Sequence, residues 1–369
     1  MTRSGNGFRM RTFTRDINRI EPGSGIIRRI LSVGWNKLRA VPACSPPRMP
    51  ELRGVCSSLP FMVLASVLLL TVGVIPKHAV AQNIDIQWDS RRAFGYLQKV
   101  CEIGPRVSGT EGMLKQRTMI IEHFRQFGCE IRAQAFDVAH PQTGAPVRMT
   151  NLVISFDPSA KERVVLACHY DTRPFPDRDR VRPRGPFIGA NDGASGVALF
   201  MEMAHHMKTI RPRYGVDFVM FDGEELVYRD FDKYFYGSEF FARWYRDTPP
   251  DYKYVCGVVA DMVADKNLNL YIEKNSWKMA PKVTQSLWAT ARNMQVKEFI
   301  YQQKYEVRDD HLAMNEIAGI PTADIIDFDY PYWHTTRDTA RSCSATSLSK
   351  VGRVLLQWLT EVPIELGDK

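Results

Sequence analysis

The chain is 369 residues long, 44% hydrophobic and 24% charged, enough to bury a large core in one big domain or two smaller ones. Its formal net charge of +8 is unevenly placed: 12 of the 49 basic residues and 3 of the 41 acidic ones fall in residues 1–81, leaving 37 and 38 in the remainder, a net of −1. That remainder lacks the basic stripe or patch that nucleic-acid binding requires, so no nucleic-acid partner is expected.

The leader comes first. Residues 59–75 read LPFMVLASVLLLTVGVI, with Arg48 and Arg53 upstream and Ala79-Val80-Ala81 downstream. A basic flank, a short apolar stretch and an A-x-A site describe a secretory signal cleaved after Ala81. The run is shorter than the ~20 residues a helix needs to cross a bilayer. Residues 49–81 are therefore expected to be a signal peptide, and residues 1–48 an untranslated or disordered leader. Export to the periplasm or the medium follows, with no membrane span after cleavage and tethering only if the signal stays attached. Cys101, Cys129, Cys168, Cys256 and Cys343 remain, an odd set without a C-x-x-C pair, allowing at most two disulfides.

Along residues 82–369, two amphipathic helices are predicted over 89–104 and 109–128, separated by the turn-rich PRVSGT. Strands follow at 130–138, 147–156 and 163–168, the last running into His169. Residues 171–185, DTRPFPDRDRVRPRG, form a polar loop. A helix over 194–207, a buried strand over 216–221, a helix over 236–245 and a strand over 255–260 come next. A short strand at 269–273, a helix at 279–294, a strand at 322–327 and a closing helix at 348–362 complete the chain. No repeat or long linker divides it. Alternating strands and helices imply an α/β domain whose mostly parallel sheet is covered on both faces, with ligands collecting beyond the carboxyl ends of the strands.

Four strands deliver a ligand-type residue at that end. They lead into His169, into Glu224 and Glu225, into Asp261, and into the loop that bears His334. Asp192, in GANDGASG, stands where a helix opens, which favours an ionised carboxylate. Imidazole nitrogens and carboxylate oxygens suit a zinc site with an open position for water or substrate. Glu224 and Glu225 are neighbours whose side chains diverge, so one can bind metal while the other carries a proton. Asp171 points to the same side as His169 and is expected to support that imidazole. His78, His123, His140, His205 and His206 are read as structural, the last two on a helix with no acidic partner nearby.

The order HYD, NDG, DGEE, D and HT resembles the zinc aminopeptidase superfamily that also contains the glutaminyl-peptide cyclotransferases, over about residues 88–362. The resemblance implies a single α/β domain with a central mixed sheet. It implies a main zinc held by Asp192, Glu225 and His334, a second site completed by His169 and Asp261 and bridged by Asp192, and Glu224 as general base. One zinc, or two, would be bound. HYDTRP with its long following loop, Trp333 directly before His334, and RDDH at 308–311 are similar to the cyclases, especially the bacterial ones. In that branch the tryptophan shapes the glutaminyl pocket, and Asp261 with one of Asp309 or Asp310 forms a carboxyl relay. NDGASG and HTTRDT, with Asp338 as a supporting or pocket residue, also suit the aminopeptidases, and residues 226–235 lack the tryptophan of animal cyclases. Peptide or protein N-termini are the implied substrates, cyclised or hydrolysed, and a monomer is expected. A catalytically dead ectodomain used for binding would show an eroded ligand set, above all at Glu224, and no erosion is visible.

Overall fold

Two capped helices open the described part of the chain, residues 86–366 of the computed structural model. In α1 (Ser90–Glu102) the Asp89 carboxylate accepts from the Arg92 N–H at 2.9 Å, and Ala93, Leu97 and Val100 bury one stripe at i, i+4 and i+7. The Thr110 hydroxyl caps α2 (Glu111–Arg125) in the same way. The predicted leader and signal segment lie outside the described residues.

The strands are β1 (Glu130–Ala139), β2 (Pro146–Ser155), β3 (Glu162–His169), β4 (Gly215–Phe221), β5 (Lys253–Asp261), β6 (Leu270–Ile272), β7 (Phe299–Gln303) and β8 (Thr322–Ile326). Six of them form one sheet in the order β1-β2-β4-β3-β5-β8. β1 pairs antiparallel with β2, and β2 antiparallel with β4; β4, β3, β5 and β8 then run parallel. The mostly parallel sheet predicted from the alternation of elements is what the chain builds, and its antiparallel β1 and β2 make it mixed, as the resemblance implies.

The two-residue period of the strands divides the core into two layers. Val164, Leu166 and Cys168 of β3 face one layer with Val258 and Ala260 of β5. That layer is covered by α1, α2, α3 (Ala194–Met203), the short α4 (Met207–Ile210), α7 (Pro281–Asn293) and α9 (Ala345–Glu361). Val165 and Ala167 face the other layer with Val219, Phe221 and Val259, under α5 (Tyr236–Asp247) and α8 (Asp310–Glu316). Strands buried on both faces read as unbroken apolar runs, which is why RVVLAC, VDFVMF and VCGVVA were recognisable. Among the described residues no helix is long and apolar enough to cross a membrane.

Several elements differ from expectation. α6 (Lys274–Met279), β7 and α8 were not anticipated: β7 buries only Phe299 and leaves no alternation to read, while α6 and α8 span fewer than two turns. The helix expected over 194–207 breaks into α3 and α4 at a turn. There His206 does have an acidic partner, against expectation: its Nε2 lies 3.2 Å from the buried Glu202 carboxylate, which also binds Arg92.

α3 runs close over the sheet because residue 196 is glycine. A Cβ at that position would stand 2.5 Å from Cys168 Cβ of β3 and 2.9 Å from the Ala260 carbonyl oxygen of β5. Replacing Gly196 with Val is expected to lower stability by about 2–3 kcal/mol through overpacking, read as a lower urea midpoint. A midpoint equal to that of the natural chain would show that the helix can lift off the sheet without penalty.

Candidate metal centre

The parallel strands end at one edge of the sheet, and each hands a side chain to the same place. β3 ends in His169; β4 leads through Asp222 and Gly223 into Glu224 and Glu225; β5 ends in Asp261; β8 leads into the loop carrying His334. Asp192 enters from the turn before α3, where Gly193 adopts φ 95° and a Cβ would meet the Asp171 carbonyl oxygen at 2.5 Å. His334 itself has φ 55°, a left-handed conformation rare outside glycine and common at functional positions.

Asp192 joins two triads. With Glu225 and His334 it forms one set whose ligand atoms lie within 4.8 Å of one another, and with His169 and Asp261 a second. Its Oδ1 is 3.3 Å from His169 Nε2 and its Oδ2 is 3.6 Å from His334 Nε2. His334 Nε2 lies 2.9 Å from Glu225 Oε1, and His169 Nε2 lies 3.1 Å from Asp261 Oδ1. Glu224 stands to one side, its Oε2 3.9 Å from His169 Nδ1, and lines the cavity. All six residues predicted from the motifs are brought together.

The surrounding residues fix these side chains. The Asp171 carboxylate accepts from the backbone N–H groups of Glu224 and Glu225 at 3.1 and 3.0 Å, and so shapes the glutamate turn. This revises the expected role of Asp171, because its nearest approach to the His169 imidazole is 3.7 Å, too long for a hydrogen bond. Asp338 is buried beneath the Asp192 turn, outside the cavity wall. It accepts from Asn191 N–H (2.8 Å), Asp192 N–H (3.1 Å) and Tyr330 O–H (2.7 Å), and burial pushes it up to about 6. Trp333 lines the cavity with its ring centroid 4.2 Å from that of His334. Asp309 caps α8 and shares the cavity wall with Asp261, whereas Asp310 is fully buried behind it. Burial and the Asp261 charge push Asp309 up to about 6; burial and Asp309 drive Asp310 well above the carboxylate range.

Two residues of the long polar loop belong to the site and were missed. Asp177 Oδ1 lies 3.1 Å from His334 Nδ1, which leaves Nε2 turned toward Asp192 and Glu225. Arg173 donates to both Asp177 oxygens at 3.0 and 2.9 Å, and reaches Glu225 through its side chain at 3.1 Å and its backbone N–H at 3.2 Å. The pair is four residues apart in a segment without helical period, so no pattern in the sequence marks it.

The protonation preferences suit a cation. Burial and the Glu225 charge push Asp192 up to about 7, which overrides the helix-end effect expected for it. Burial and Glu225 also raise Glu224 well above the usual carboxylate value. Burial works against ionised Glu225 as well, but His334 and Arg173 hold it down to about 2. For His334, burial is outweighed by Glu225 and Asp177, giving about 9. His169 Nδ1 and Asp192 Oδ2 are buried without a hydrogen-bond partner. Oxygen and nitrogen donors crowded in this way hold protons that a divalent ion displaces. Replacing Asp171 with Ala is expected to cost about 3 kcal/mol by leaving two turn N–H groups unpaired, seen as a lower urea midpoint. An unchanged midpoint would mean that other contacts hold the turn.

Comparison with known proteins agrees with this geometry. The chain is 23% identical to the glutaminyl-peptide cyclotransferase-like protein of Bos taurus over 320 residues, covering 79% of this chain and 80% of that one. The crystal structure of Fimbriiglobus ruber glutaminyl cyclase matches with a TM-score of 0.73 and 40% identity, covering 76% of this chain and 97% of that chain. A Zn-dependent exopeptidase from Parabacteroides distasonis matches with a TM-score of 0.69 and 27% identity, covering 74% and 98%. The model of peptidase family M28 matches residues 151–359, and the chain belongs to that family.

Proposed function

We propose that this protein is a zinc-dependent glutaminyl-peptide cyclotransferase, which converts an N-terminal glutamine into pyroglutamate with release of ammonia. The observation that carries the reading is the cavity of about 640 Å³, in which Glu224, Asp261 and Asp309 face the same space as Trp333, in a chain 40% identical to a bacterial glutaminyl cyclase. The cavity is of a volume that holds a peptide end and combines acids for an amine with an aromatic wall for a side chain.

Asp192, Glu225 and His334 would hold the zinc, which when bound supplies Lewis-acid polarisation of the side-chain amide carbonyl. Asp177, fixed by Arg173, keeps His334 in the orientation that ligation needs. Trp333 forms a wall against the glutaminyl side chain, and Asp261 with Asp309 receives the α-amine. Glu224 takes a proton from that amine as its nitrogen bonds to the side-chain amide carbon. The bond from that carbon to the amide nitrogen breaks, and Glu224 returns the proton to the departing ammonia. Both reacting groups lie in one molecule, so the effective molarity is on the order of 10⁵ M or more and orientation does most of what the protein must do.

A second reading has its own support. His169, Asp192 and Asp261 form a further triad that shares Asp192 with the first, the arrangement that two-metal hydrolysis of an N-terminal peptide bond would use. Mass spectrometry of a Gln-initiated peptide separates the two, with loss of one ammonia from the intact peptide expected and release of free glutamine pointing to hydrolysis instead. Replacing Glu224 with Gln is expected to lower turnover by at least ~10²-fold while bound zinc stays near one equivalent or its natural level. Loss of zinc in that variant, with zinc retained on replacing Glu225, would exchange the two glutamates' roles.

The substrate amine sets the pH dependence. Only the neutral amine attacks, and with an ordinary α-amino pKa of about 7.7–8.0 its fraction falls about tenfold for each pH unit below that range. At subsaturating peptide the rate is expected to climb from pH 6 toward mildly alkaline pH and then level off, as followed by ammonia release; a rate that is flat from pH 6 to pH 8 would contradict attack by the free amine.

A further inference from the structure

The loop 171–185 carries the run D-R-D-R-V-R-P-R from Asp177 to Arg184, and its acidic and basic members part company. Asp177 turns inward to Arg173 and His334. Asp179, buried, accepts from the backbone N–H groups of Val181, Arg182 and Thr336 at 2.9, 2.8 and 2.9 Å and from the Thr336 hydroxyl. That stapling ties the loop to the segment bearing His334, and the Arg178 N–H donates to the His334 carbonyl at 3.1 Å as well. With both acids consumed, Arg178, Arg180, Arg182 and Arg184 are left exposed on a fixed backbone.

Among the described residues no ion pair reaches any of these four arginines. Some exposed cations elsewhere find acids, as Arg148 does with Asp137, Lys161 with Asp251, Lys253 with Glu162 and Arg246 with Asp247; what sets the loop apart is four exposed arginines within seven residues. Two of the four are placed at the cavity or beside it. Arg178 lines it and lies 3.7 Å over the Trp333 ring; Arg184 lines an adjoining cleft of about 220 Å³ that shares Arg173, Asp177 and Asp230 with it. Apolar surface accompanies the charge. Val181, at the tip of the loop, is 87% exposed, and Phe231, next to Asp230, is 78% exposed. Asp230, Glu306 and Arg308 line the cavity too, so positive charge is concentrated on the loop and not around the whole rim.

We infer that this loop selects substrates: it receives the residues just after the N-terminal one and favours peptides carrying Asp or Glu there. The inference rests on the proposed use of the cavity for a peptide N-terminus. An acidic interior that takes the amine, with a basic loop and apolar contacts on one side of its mouth, matches a chain whose first residue is cationic or neutral and whose next residues are anionic. Guanidinium groups pair with carboxylates in forked geometry, and their apolar faces cover the stem of the bound chain.

The test compares Gln-Ala-Glu-Glu-Ala, Gln-Ala-Gln-Gln-Ala and Gln-Ala-Lys-Lys-Ala on the zinc-loaded protein, with product identified by mass spectrometry. The acidic peptide is expected to have about a fivefold lower KM than the neutral one at low salt, the size that a few exposed ion pairs can supply, with kcat unchanged. The difference should vanish toward about 1 M salt, where charges are screened within ~3 Å. R180Q/R182Q should weaken it while leaving turnover of the neutral peptide intact, and R180E/R182E, which leaves two arginines against two added acids, should abolish or reverse it, which a merely structural role would not do. Equal KM values for all three peptides, or an acidic preference surviving in R180E/R182E, would overturn the inference. Release of free glutamine would defeat the cyclase reading alone, because the same KM comparison still judges the loop. Should no peptide be turned over, fluorescence anisotropy of the labelled peptides judges it by the same ranking. Sedimentation with phosphatidylglycerol vesicles that depends on Arg180 and Arg182, without discrimination among peptides, would assign the loop to a lipid surface and overturn the inference too.

Discussion

Asp192 presents one oxygen 3.3 Å from His169 Nε2 and the other 3.6 Å from His334 Nε2, and a carboxylate shared in this way must be held to a fraction of an ångström for either triad to close. The fold supplies that restraint through backbone contacts. Asp338 grips two successive N–H groups of the turn, and the Asn191 side chain accepts from the Ala264 N–H at 2.7 Å. Ser195, at the start of α3, accepts from the Val263 N–H at 3.1 Å. The turn is thereby fastened to the chain just beyond β5, so the position of Asp192 and that of Asp261 are set by one piece of structure. Arg106, fully buried, closes the other side by donating to the Ile188 and Gly189 carbonyls at 2.6 and 2.9 Å. A metal centre assembled from side chains on separate strands needs such fixing, since orientation of ligands governs affinity.

A second constraint is charge. Asp192, Glu224, Glu225, Asp261, Asp309 and Asp310 crowd one end of the sheet, and buried anions without partners are costly. The chain answers in two ways. Arg173 lies against Glu225 and Asp177, so the ligand side of the site is part of an ion-paired network. Behind it, Asp310 and Asp324 are driven well above the carboxylate range, by burial first and by Asp309 next, and are held as acids; His311 sits between Glu273 at 3.3 Å and Asp324 at 3.7 Å. On the side facing the metal, His334 and Arg173 hold Glu225 low, while Asp192 and Glu224 are raised by burial and by the Glu225 charge, so a bound cation would relieve them. An acid on the boundary, such as Asp309 at about 6, is placed to exchange hydrogen bonds with either side.

The sequence made the metal-facing part of this legible and left the supporting part obscure, for a physical reason. His169, Glu224, Glu225 and Asp261 follow apolar runs that identify themselves as buried parallel strands, and the carboxyl ends of such strands converge. Asp192 and His334 stand in short motifs with glycine and threonine around them. The supporting residues act through distances that are long in sequence: Asp338 reaches Asn191 across 147 positions, and Arg173 reaches Glu225 across 52. Asp338 is marked only by its place in HTTRDT, through the resemblance, and nothing local to it says that it would grip the Asp192 turn. Asp171 was singled out for its spacing from His169, yet a two-residue offset says only which side a side chain points to, and its carboxylate found the Glu224 and Glu225 N–H groups instead. α8 escaped notice because seven residues cannot display a period, although its N-terminal acids are among those that matter most at the cavity.

The loop 171–185 serves both metal support and access to the cavity. Its first residues continue directly from β3, so Asp171 and Arg173 are placed by the sheet itself and can act on the glutamate turn with strand-like rigidity. Its middle residues reach across to the His334 segment, where Asp177 meets the imidazole and Asp179 the Thr336 backbone and hydroxyl. His334 has a positive φ, a conformation costing of order 1–3 kcal/mol that persists only when its surroundings dictate it. Contacts from Asp177, Asp179 and the Arg178 N–H are those surroundings. The same contacts occupy both aspartates of the run and leave its four arginines exposed, with Arg178 over Trp333 at the cavity. Metal geometry and the charge displayed at the cavity mouth are therefore consequences of a single backbone path.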